Sequence, residues 1–545
     1  MSMIQVTNVS FAYEGSPVSV FDNVSFRIDT DWKLGFTGRN GRGKTTFLKL
    51  LMGAYEYSGT IRSDTVFDYF PFEVKDPSQD TILIAGEVCP DYEYWRLVKE
   101  LSKLQVDEEA LFRPFKTLSQ GEQTKVLLAL LFLRQQHFLL IDEPTNHLDM
   151  EARQVAAEYL SRKKGFILVS HDRAFLDRAV DHMLVINKGN IEVQKGNFSS
   201  WYENKQRQDA FEMEENERLK KDIRRLKTAA LRTGQWADDV EGTKLGKRNA
   251  EAAAQGKFLG TRAYIGEKSR KLQQRRKNLE RRQEQALREK SELLHNIETA
   301  EDLKLFPQRW HQERLAVFNG GRIVYRMGAS DGVERFGEDS GDAGNDSRRI
   351  VLENLHLEIR RGERLALQGK NGSGKSSILK ILLQMAGVPE HEIMAGQLFQ
   401  ESNYAQGAGW PEYQGEGFAA KGLKISYISQ DTSGLKGSLR EYAIAWGVEE
   451  SLLKMVLRKL DFSRDQLELP IETFSQGQKK KVLIARSLCE QAHLYLWDEP
   501  LNYVDVYSRM QIEELILKFQ PTMVLIEHDR AFAEKVADRI YLVEG

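Results

Sequence analysis

A chain of 545 residues, 41% hydrophobic and 29% charged, is long enough for three or four packed domains at about 150 residues each. Its formal net charge of −2 favours no class of partner by itself, and two cysteines, Cys89 and Cys489, exclude a disulfide framework or a cysteine-rich zinc site. Met1 to Phe11 lacks the basic and apolar regions of a signal peptide. No apolar run reaches the roughly 18 residues that a membrane-spanning helix needs, so a reducing, cytoplasmic setting is expected.

In chain order, the first telling element is a predicted strand over Trp32–Thr37. It runs into Gly38-Arg39-Asn40-Gly41-Arg42-Gly43-Lys44-Thr45, which fits G-x-x-x-x-G-K-[ST], and a helix is predicted over Thr46–Met52. In such a loop backbone N–H groups cradle phosphates, the lysine reaches the β- and γ-phosphates, and the hydroxyl binds Mg²⁺. Leu118-Ser119-Gln120-Gly121-Glu122-Gln123 then opens a predicted helix through Arg134. Phe138–Ile141 is a short apolar run, read as a buried parallel strand. It ends in Asp142-Glu143-Pro144-Thr145-Asn146-His147-Leu148-Asp149. A further buried strand, Phe166–Val169, ends at Ser170-His171-Asp172.

Between about Ser199 and Pro307 the composition changes. Residues 216–290 hold 22 lysines and arginines against 10 aspartates and glutamates, so the rest of the chain is acidic. Asn204–Thr233 has no Pro or Gly, and Leu219, Ile223, Leu226 and Ala230 form one helical stripe. Gly234 is expected to end that helix, with an irregular segment over Gly234–Gly266. A second helix is predicted over about Glu267–Glu298, with Leu272, Leu279, Ala286, Leu293 and Ile297 on its seam. The expected form is an antiparallel helical hairpin with a tip loop near 234–266. Arg270, Lys271, Arg275, Arg276, Lys277, Arg281 and Arg282 suit phosphate contacts. Trp236, Lys244, Lys247, Arg248, Phe258 and Tyr264 near the tip mix aromatic and basic character, which suits stacking on unpaired bases. The competing reading is a coiled-coil spacer with solvated charges.

The second part repeats the first. Arg364–Gln368 leads into Gly369-Lys370-Asn371-Gly372-Ser373-Gly374-Lys375-Ser376, with Ser377 next. Tyr427-Ile428-Ser429-Gln430 and Phe474-Ser475-Gln476-Gly477-Gln478 follow. Leu494–Trp497 leads to Asp498-Glu499-Pro500, and Met523–Ile526 to Glu527-His528-Asp529. Two hits to one loop pattern, each with the same ordered companions, are the mark of a duplication. Asp142 and Asp498 at strand ends suit Mg²⁺ and its water; Glu143 and Glu499 suit polarising the attacking water.

These motifs resemble the ABC ATPase superfamily over most of the chain. The resemblance implies α/β architecture with two ABC-type P-loop ATPase domains in tandem, here joined by the long hairpin, with domains at 1–198, 199–307 and 308–545. It implies a monomer whose two ATPase domains pair head to tail, with ATP and Mg²⁺ as cofactors. One site would join Gly38, Asn40, Gly41, Gly43, Lys44, Thr45, Thr46, Asp142, Glu143 and His171 with Ser475 and Gly477. The other would join Gly369, Asn371, Gly372, Gly374, Lys375, Ser376, Ser377, Asp498, Glu499 and His528 with Ser119 and Gly121. Glu143, Glu499, His171 and His528 would be catalytic; Thr45, Ser376, Asp142, Asp498 and Gln430 would hold the metal. Tyr13 would stack on adenine in the first site, and Tyr325 is the weaker candidate for the second. The pattern is broken at Phe72, where a first glutamine would sit, so unequal sites are expected.

Tandem ATPase domains around a charged hairpin, with Asp142 to Asp149 reading Asp-Glu-Pro-Thr-Asn-His-Leu-Asp, look like the ABC-F family of translation factors. The hairpin's lengthy loop resembles the antibiotic-resistance branch, especially Lsa-type ribosomal protection proteins. That resemblance implies binding in the ribosomal E site, against 23S rRNA and a P-site tRNA, with the tip toward the peptidyl-transferase centre. Drugs bound there, such as lincosamides, pleuromutilins and streptogramin A, would be displaced. A housekeeping translation factor, the ATPase subunit of a membrane transporter and a DNA-repair ATPase are the alternatives. The polar, acidic stretch 327–349 is expected to be a surface insertion.

Overall fold

The computed structural model describes residues 2–13, 19–134, 137–146, 148–187, 190–244, 281, 303–326, 348–388 and 410–544. The chain divides into two units, Met1–Trp201 with Ala300–Gly545, and Tyr202–Thr299.

The larger unit carries the duplication as two sheets of the same strand order. In the first half the strands run Val66–Phe70, His137–Asp142, Phe166–Val169, Lys33–Thr37 and His182–Ile186, all parallel, with Ile191–Lys195 added antiparallel at one edge. In the second half they run Ile425–Ile428, Leu494–Asp498, Met523–Ile526, Arg364–Gln368 and Arg539–Leu542, all parallel. Strands covered on both faces carry unbroken apolar runs. Phe166–Val169 and Met523–Ile526 are buried at every position. Because these strands are parallel, the loops leaving their carboxyl ends share one edge of each sheet, where ligands bind in open α/β sheets. Both phosphate loops, both Asp-Glu pairs and both histidines sit at those ends.

Each half also has an antiparallel sheet. Met3–Phe11 lies between Phe21–Asp29 and Ser58–Arg62. Arg314–Arg326 pairs with Arg348–Leu352, His356–Arg360 and Pro411–Ala419. One core, with Ile4, Phe21, Phe36, Phe47 and Leu140, fills the space between the two sheets of the first half. Leu315, Phe318, Leu365, Ile378 and Leu496 do so in the second. Register fixes the correspondence at the sheet edge: Phe70 pairs with Ile141 and Ile428 with Trp497, one residue before Asp142 and Asp498. Tyr69 therefore matches Tyr427, and Phe72 matches Gln430.

One expectation about the linker needs correction. A single helix spans Phe198–Lys244, 47 residues, and passes through Gly234. A helical glycine costs about 1 kcal/mol relative to alanine, which weakens a helix without ending it. Good helix formers flank it, with Ala229, Ala230, Leu231 and Arg232 before and Gln235 and Ala237 after. Trp236 and Lys244, expected on an irregular loop, thus lie on this helix. Lys247, Arg248, Phe258, Tyr264, Arg275 and Arg276 fall outside the described residues, as does nearly all of the second predicted helix. The expected insertion 327–349 also falls outside, save its last two residues. Arg348 and Arg349 open the strand Arg348–Leu352, with Arg349 opposite Tyr325. Among the described residues no helix is long and apolar enough to cross a membrane.

Candidate functional site

Each phosphate loop owes its shape to glycines that no other residue replaces without strain. Gly41 and Gly43 adopt φ of +78° and +93°, and Gly372 and Gly374 φ of +83° and +92°. A Cβ at Gly43 would also stand 2.5 Å from Val20 Cγ1. Gly43 and Gly374 cap the helices Lys44–Leu51 and Lys375–Met385 and offer no side chain to their first N–H groups. A helix start with bare N–H groups is an anion site. Lys44 Nζ donates to Gly38 O at 2.7 Å and to Asn40 Oδ1 at 3.3 Å. Lys375 Nζ donates to Gly369 O and Lys370 O at 2.8 and 2.7 Å. Burial lowers the pKa of both lysines, opposed for Lys44 by Asp505, Glu143 and Asp142.

Beside each loop stands a hydroxyl–carboxylate pair. Thr45 Oγ1 donates to Asp142 Oδ2 at 2.8 Å, and Ser376 Oγ to Asp498 Oδ1 at 3.1 Å. Such hard oxygen donors, present in both halves, fit Mg²⁺. Burial and then the neighbouring charge of Glu499 push Asp498 up to about 6. The next residues, Glu143 and Glu499, share a left-handed backbone with φ of +50° and +48°. Strained backbone of this kind, repeated in both copies, marks a functional position.

The two glutamates differ in surroundings. Glu499 accepts from Gln430 Nε2 at 2.8 Å, Asn502 Nδ2 at 2.6 Å and His528 Nε2 at 3.1 Å. Burial pushes its carboxyl up, but the bonds from His528 and Gln430 and the charge of Lys480 outweigh that and hold it below its ordinary value. His171 Nε2 comes within 3.2 Å of Glu143 Oε1, yet that buried oxygen has no aligned hydrogen-bond donor. Burial and the charge of Asp142 push Glu143 up to about 8. The glutamine that serves Glu499 has Phe72 as its counterpart, so the expected inequality is visible as geometry.

Residues from both halves meet at both sites. A cavity of about 780 Å³ is lined by Lys375, Ser376, Ser377, Gln430, Glu499 and His528 from the second half and by Ser119, Gly121 and Glu122 from the first. Ser119 caps the helix Gln120–Leu131, bonding Glu122 N while Glu122 returns to Ser119 N; Ser475 and Gln478 do the same for Gln476–Cys489. At the other site the halves touch directly. Asn40 Nδ2 donates to Tyr503 O at 2.8 Å, Arg39 pairs with Asp461 at 3.2 Å, and Gly477 packs against Asn40 and Tyr503. The two tyrosines are equivalent: Tyr13 bonds Thr46 Oγ1 at 2.6 Å and Tyr325 bonds Ser377 Oγ at 2.8 Å, one residue beyond Thr45 and Ser376.

Several residues at these sites escaped the sequence. Lys480, buried, donates to Ser429 O and Glu499 O at 3.1 Å. Arg153 ties Leu148 O to Asp172, and Arg509 ties Val504 O to Asp529, each at 2.9 and 3.2 Å. The recurrence of an arginine four residues after Asp149 and Asp505 was the available signal. Tyr69, whose hydroxyl donates to Asp142 Oδ2 at 2.9 Å, could have been noticed as the twin of Tyr427.

The family model described as ABC transporter matches residues 21–146 and 352–502, the stretches that hold both phosphate loops and both Asp-Glu pairs. This chain belongs to the ABC transporter family. It is an ATPase, hydrolysing ATP to ADP and phosphate, with two ABC domains in one polypeptide. Among curated proteins it is similar to the ATP-binding protein Uup of Caulobacter vibrioides, 27% identical over 96% of this chain and 75% of that one. It is also similar to the ribosome protection protein VmlR of Bacillus subtilis, 25% identical over 98% and 86%. ABC transporter F family member 2 of Arabidopsis thaliana is 23% identical over 99% and 76%. Each of these likenesses runs over nearly the whole of this chain and three quarters or more of the relative. Among solved structures, the archaeal ribosome recycling factor aABCE1, in complex with the ribosomal stalk protein aP1, matches with a TM-score of 0.56. It is 20% identical, covers 99% of this chain and 87% of that one, and supports the fold.

Proposed function

We propose that this ATPase is of the ABC-F group, acts on the ribosome in the cytoplasm and protects it from antibiotics that bind the peptidyl-transferase centre. The observation that carries the reading is the pairing of two ATP sites with a block of 22 basic and 10 acidic residues at 216–290. An ATPase of this kind needs something to act on; a basic block suits a phosphate-rich partner. The likeness to VmlR, a ribosome protection protein, runs over 98% of the chain and supports the same partner. The E site, 23S rRNA and a P-site tRNA are the proposed contacts.

Domains at 1–198, 199–307 and 308–545 divide the labour. The lysines Lys44 and Lys375 and the helix starts behind them hold phosphates. Glu143 and Glu499 orient the attacking water, with His171 and His528 as the catalytic histidines beside them. Mg²⁺, when bound, would supply positive charge against the charge that builds on the transferred phosphate. Asp142, Asp498, Thr45, Ser376 and Gln430 hold it, and Tyr13 and Tyr325 face the adenine. ATP closes the halves and permits binding; hydrolysis permits release. Arg275 and Arg276 supply salt-sensitive affinity, and Trp236, Lys244, Lys247, Arg248 and Phe258 act toward the drug site. Since the helix reaches Lys244, the proposed tip begins beyond it.

The test is co-sedimentation of the Glu143→Gln/Glu499→Gln variant with ribosomes, with and without ATP, beside minimal inhibitory concentrations in cells expressing the parent. ATP-dependent retention with raised tolerance is expected. Retention without any change in tolerance would assign a housekeeping role in translation, and no retention would remove the ribosome as partner.

A further inference from the structure

The two ATP sites differ most sharply at the position where Gln430 stands in the second and Phe72 in the first. Gln430 donates to Glu499 at 2.8 Å; a phenyl ring has no atom with which to do so. Yet the first site has a polar contact that the second lacks. Tyr69 OH donates to Asp142 Oδ2 at 2.9 Å, and Thr45 Oγ1 donates to the same oxygen at 2.8 Å. Tyr427 occupies the matching strand position in the second half, since Tyr69 pairs with Leu140 and Tyr427 with Leu496. Among the described residues Asp498 accepts from Ser376 at 3.1 Å, and Tyr427 makes no hydrogen bond to it.

We propose that the Tyr69 hydroxyl is a positioning group for the first site, holding Asp142 in the orientation that receives Mg²⁺ where no glutamine is present. Two hydroxyls that reach one carboxylate oxygen from different elements fix the rotation of that carboxylate. Thr45 comes from the helix after the phosphate loop, Tyr69 from the adjoining strand Val66–Phe70. A hydroxyl has lone pairs besides its proton, so Thr45 can hold Asp142 and a cation together, while Tyr69 serves the carboxylate alone. Charge-assisted O–H···O⁻ bonds are among the stronger ones, and their loss is measurable. Tyr69 touches neither nucleotide nor metal in this role; it acts through Asp142.

The test isolates the first site by disabling the second with Lys375→Ala, then follows binding of a fluorescent ATP analogue as Mg²⁺ is titrated. Tyr69→Phe keeps the ring and removes only the oxygen. It is expected to raise the half-saturating Mg²⁺ about tenfold while leaving nucleotide affinity in EDTA unchanged. Adding Phe72→Gln to Tyr69→Phe is expected to bring the Mg²⁺ midpoint most of the way back. In the mirror background, Lys44→Ala, the change Tyr427→Phe is expected to move the midpoint less than about twofold. An unshifted midpoint in Tyr69→Phe overturns the proposal, and so does an equal loss of affinity in EDTA, which would mean a general packing role. If the parent with Lys375→Ala binds no nucleotide, the reading of the first site as an ATP site fails instead.

Discussion

Asn40 and Tyr503 meet across the two halves: the Asn40 amide donates 2.8 Å to the Tyr503 carbonyl, so one half's phosphate loop rests on the loop after the other half's Glu499. Gly477 is wedged at the same point, and a Cβ there would stand 2.4 Å from Tyr503 O and 2.8 Å from Asn40 Nδ2. Gly477→Ala therefore has to displace the Tyr503 carbonyl of its own half, and with it the bond that carbonyl accepts from Asn40 across the halves. Misplacement by an ångström at a catalytic centre costs on the order of a hundredfold. ATP turnover in the variant should fall by at least about tenfold, with the unfolding midpoint nearly unmoved, because the contact is local. Steady-state phosphate release beside a thermal melt checks both.

The donor sets of the two glutamates predict unequal contributions to hydrolysis. Glu499 accepts from three side-chain donors spread over both of its oxygens, whereas Glu143 is bonded by the His171 backbone and its Oε1 has no donor. Replacing both by glutamine keeps the phosphate contacts and removes the bases, so turnover should drop at least about a hundredfold with ATP still bound. Taken singly, Glu499→Gln should cost more than Glu143→Gln, since the second site is the better assembled. Single-turnover rates of each variant decide this; equal losses would show the donor sets to be irrelevant to rate.

Asp505 supplies a prediction in pH. It caps the helix Val506–Phe519 through Ser508 N at 2.9 Å and pairs with Lys481 at 2.6 Å, both side chains almost wholly buried. Burial pushes its carboxyl up, but Lys481 and the Ser508 amide outweigh it and hold the pKa well below the ordinary value. A depressed folded pKa gives stability that is present above the ordinary carboxylate value near 4 and is lost as pH falls through the folded value. Asp505→Asn leaves Lys481 buried without its partner and should cost about 3–5 kcal/mol at neutral pH. The loss should shrink below about pH 4. Urea unfolding of parent and variant at pH 7 and at pH 3 measures the difference.

The linker predicts a separation of effects. Arg275→Ala with Arg276→Ala should weaken ribosome binding and flatten its dependence on salt by up to about two phosphate contacts. Phe258→Ala should lower drug tolerance while leaving ATPase rate and most binding intact. Inhibitory concentrations and co-sedimentation at two salt levels read both. Full tolerance after deleting 244–258 would refute the proposed part played by the tip.

Much of the ATPase half-repeat was legible because parallel strands covered on both faces must be continuously apolar. Phe166–Val169 and Met523–Ile526 were read at their observed bounds for that reason. The phosphate loops were legible because their glycines serve backbone angles, which the pattern records directly. Gly234 misled because glycine marks both loops and tolerated helix positions, and its neighbours' helix preference prevailed over about one residue's penalty. Tyr69, Lys480, Arg153 and Arg509 were hidden for another cause. Each acts on a partner that strand pairing or helix packing brings near, and a partner 19 or more residues away leaves no local pattern.

Arg173 and Glu513 join the two halves at 2.7 Å, and Glu513 is only 2% exposed. Mobile ions screen so buried a carboxylate far less than an exposed one, so added salt should loosen the pair little. The grip proposed for 216–290 would depend instead on displacing counterions from a partner's phosphates, a process that salt reverses steeply. Ionic strength thereby becomes a reagent that parts grip from engine: at high salt the protein should come off an anionic partner with its ATP-splitting machinery still assembled and turning over.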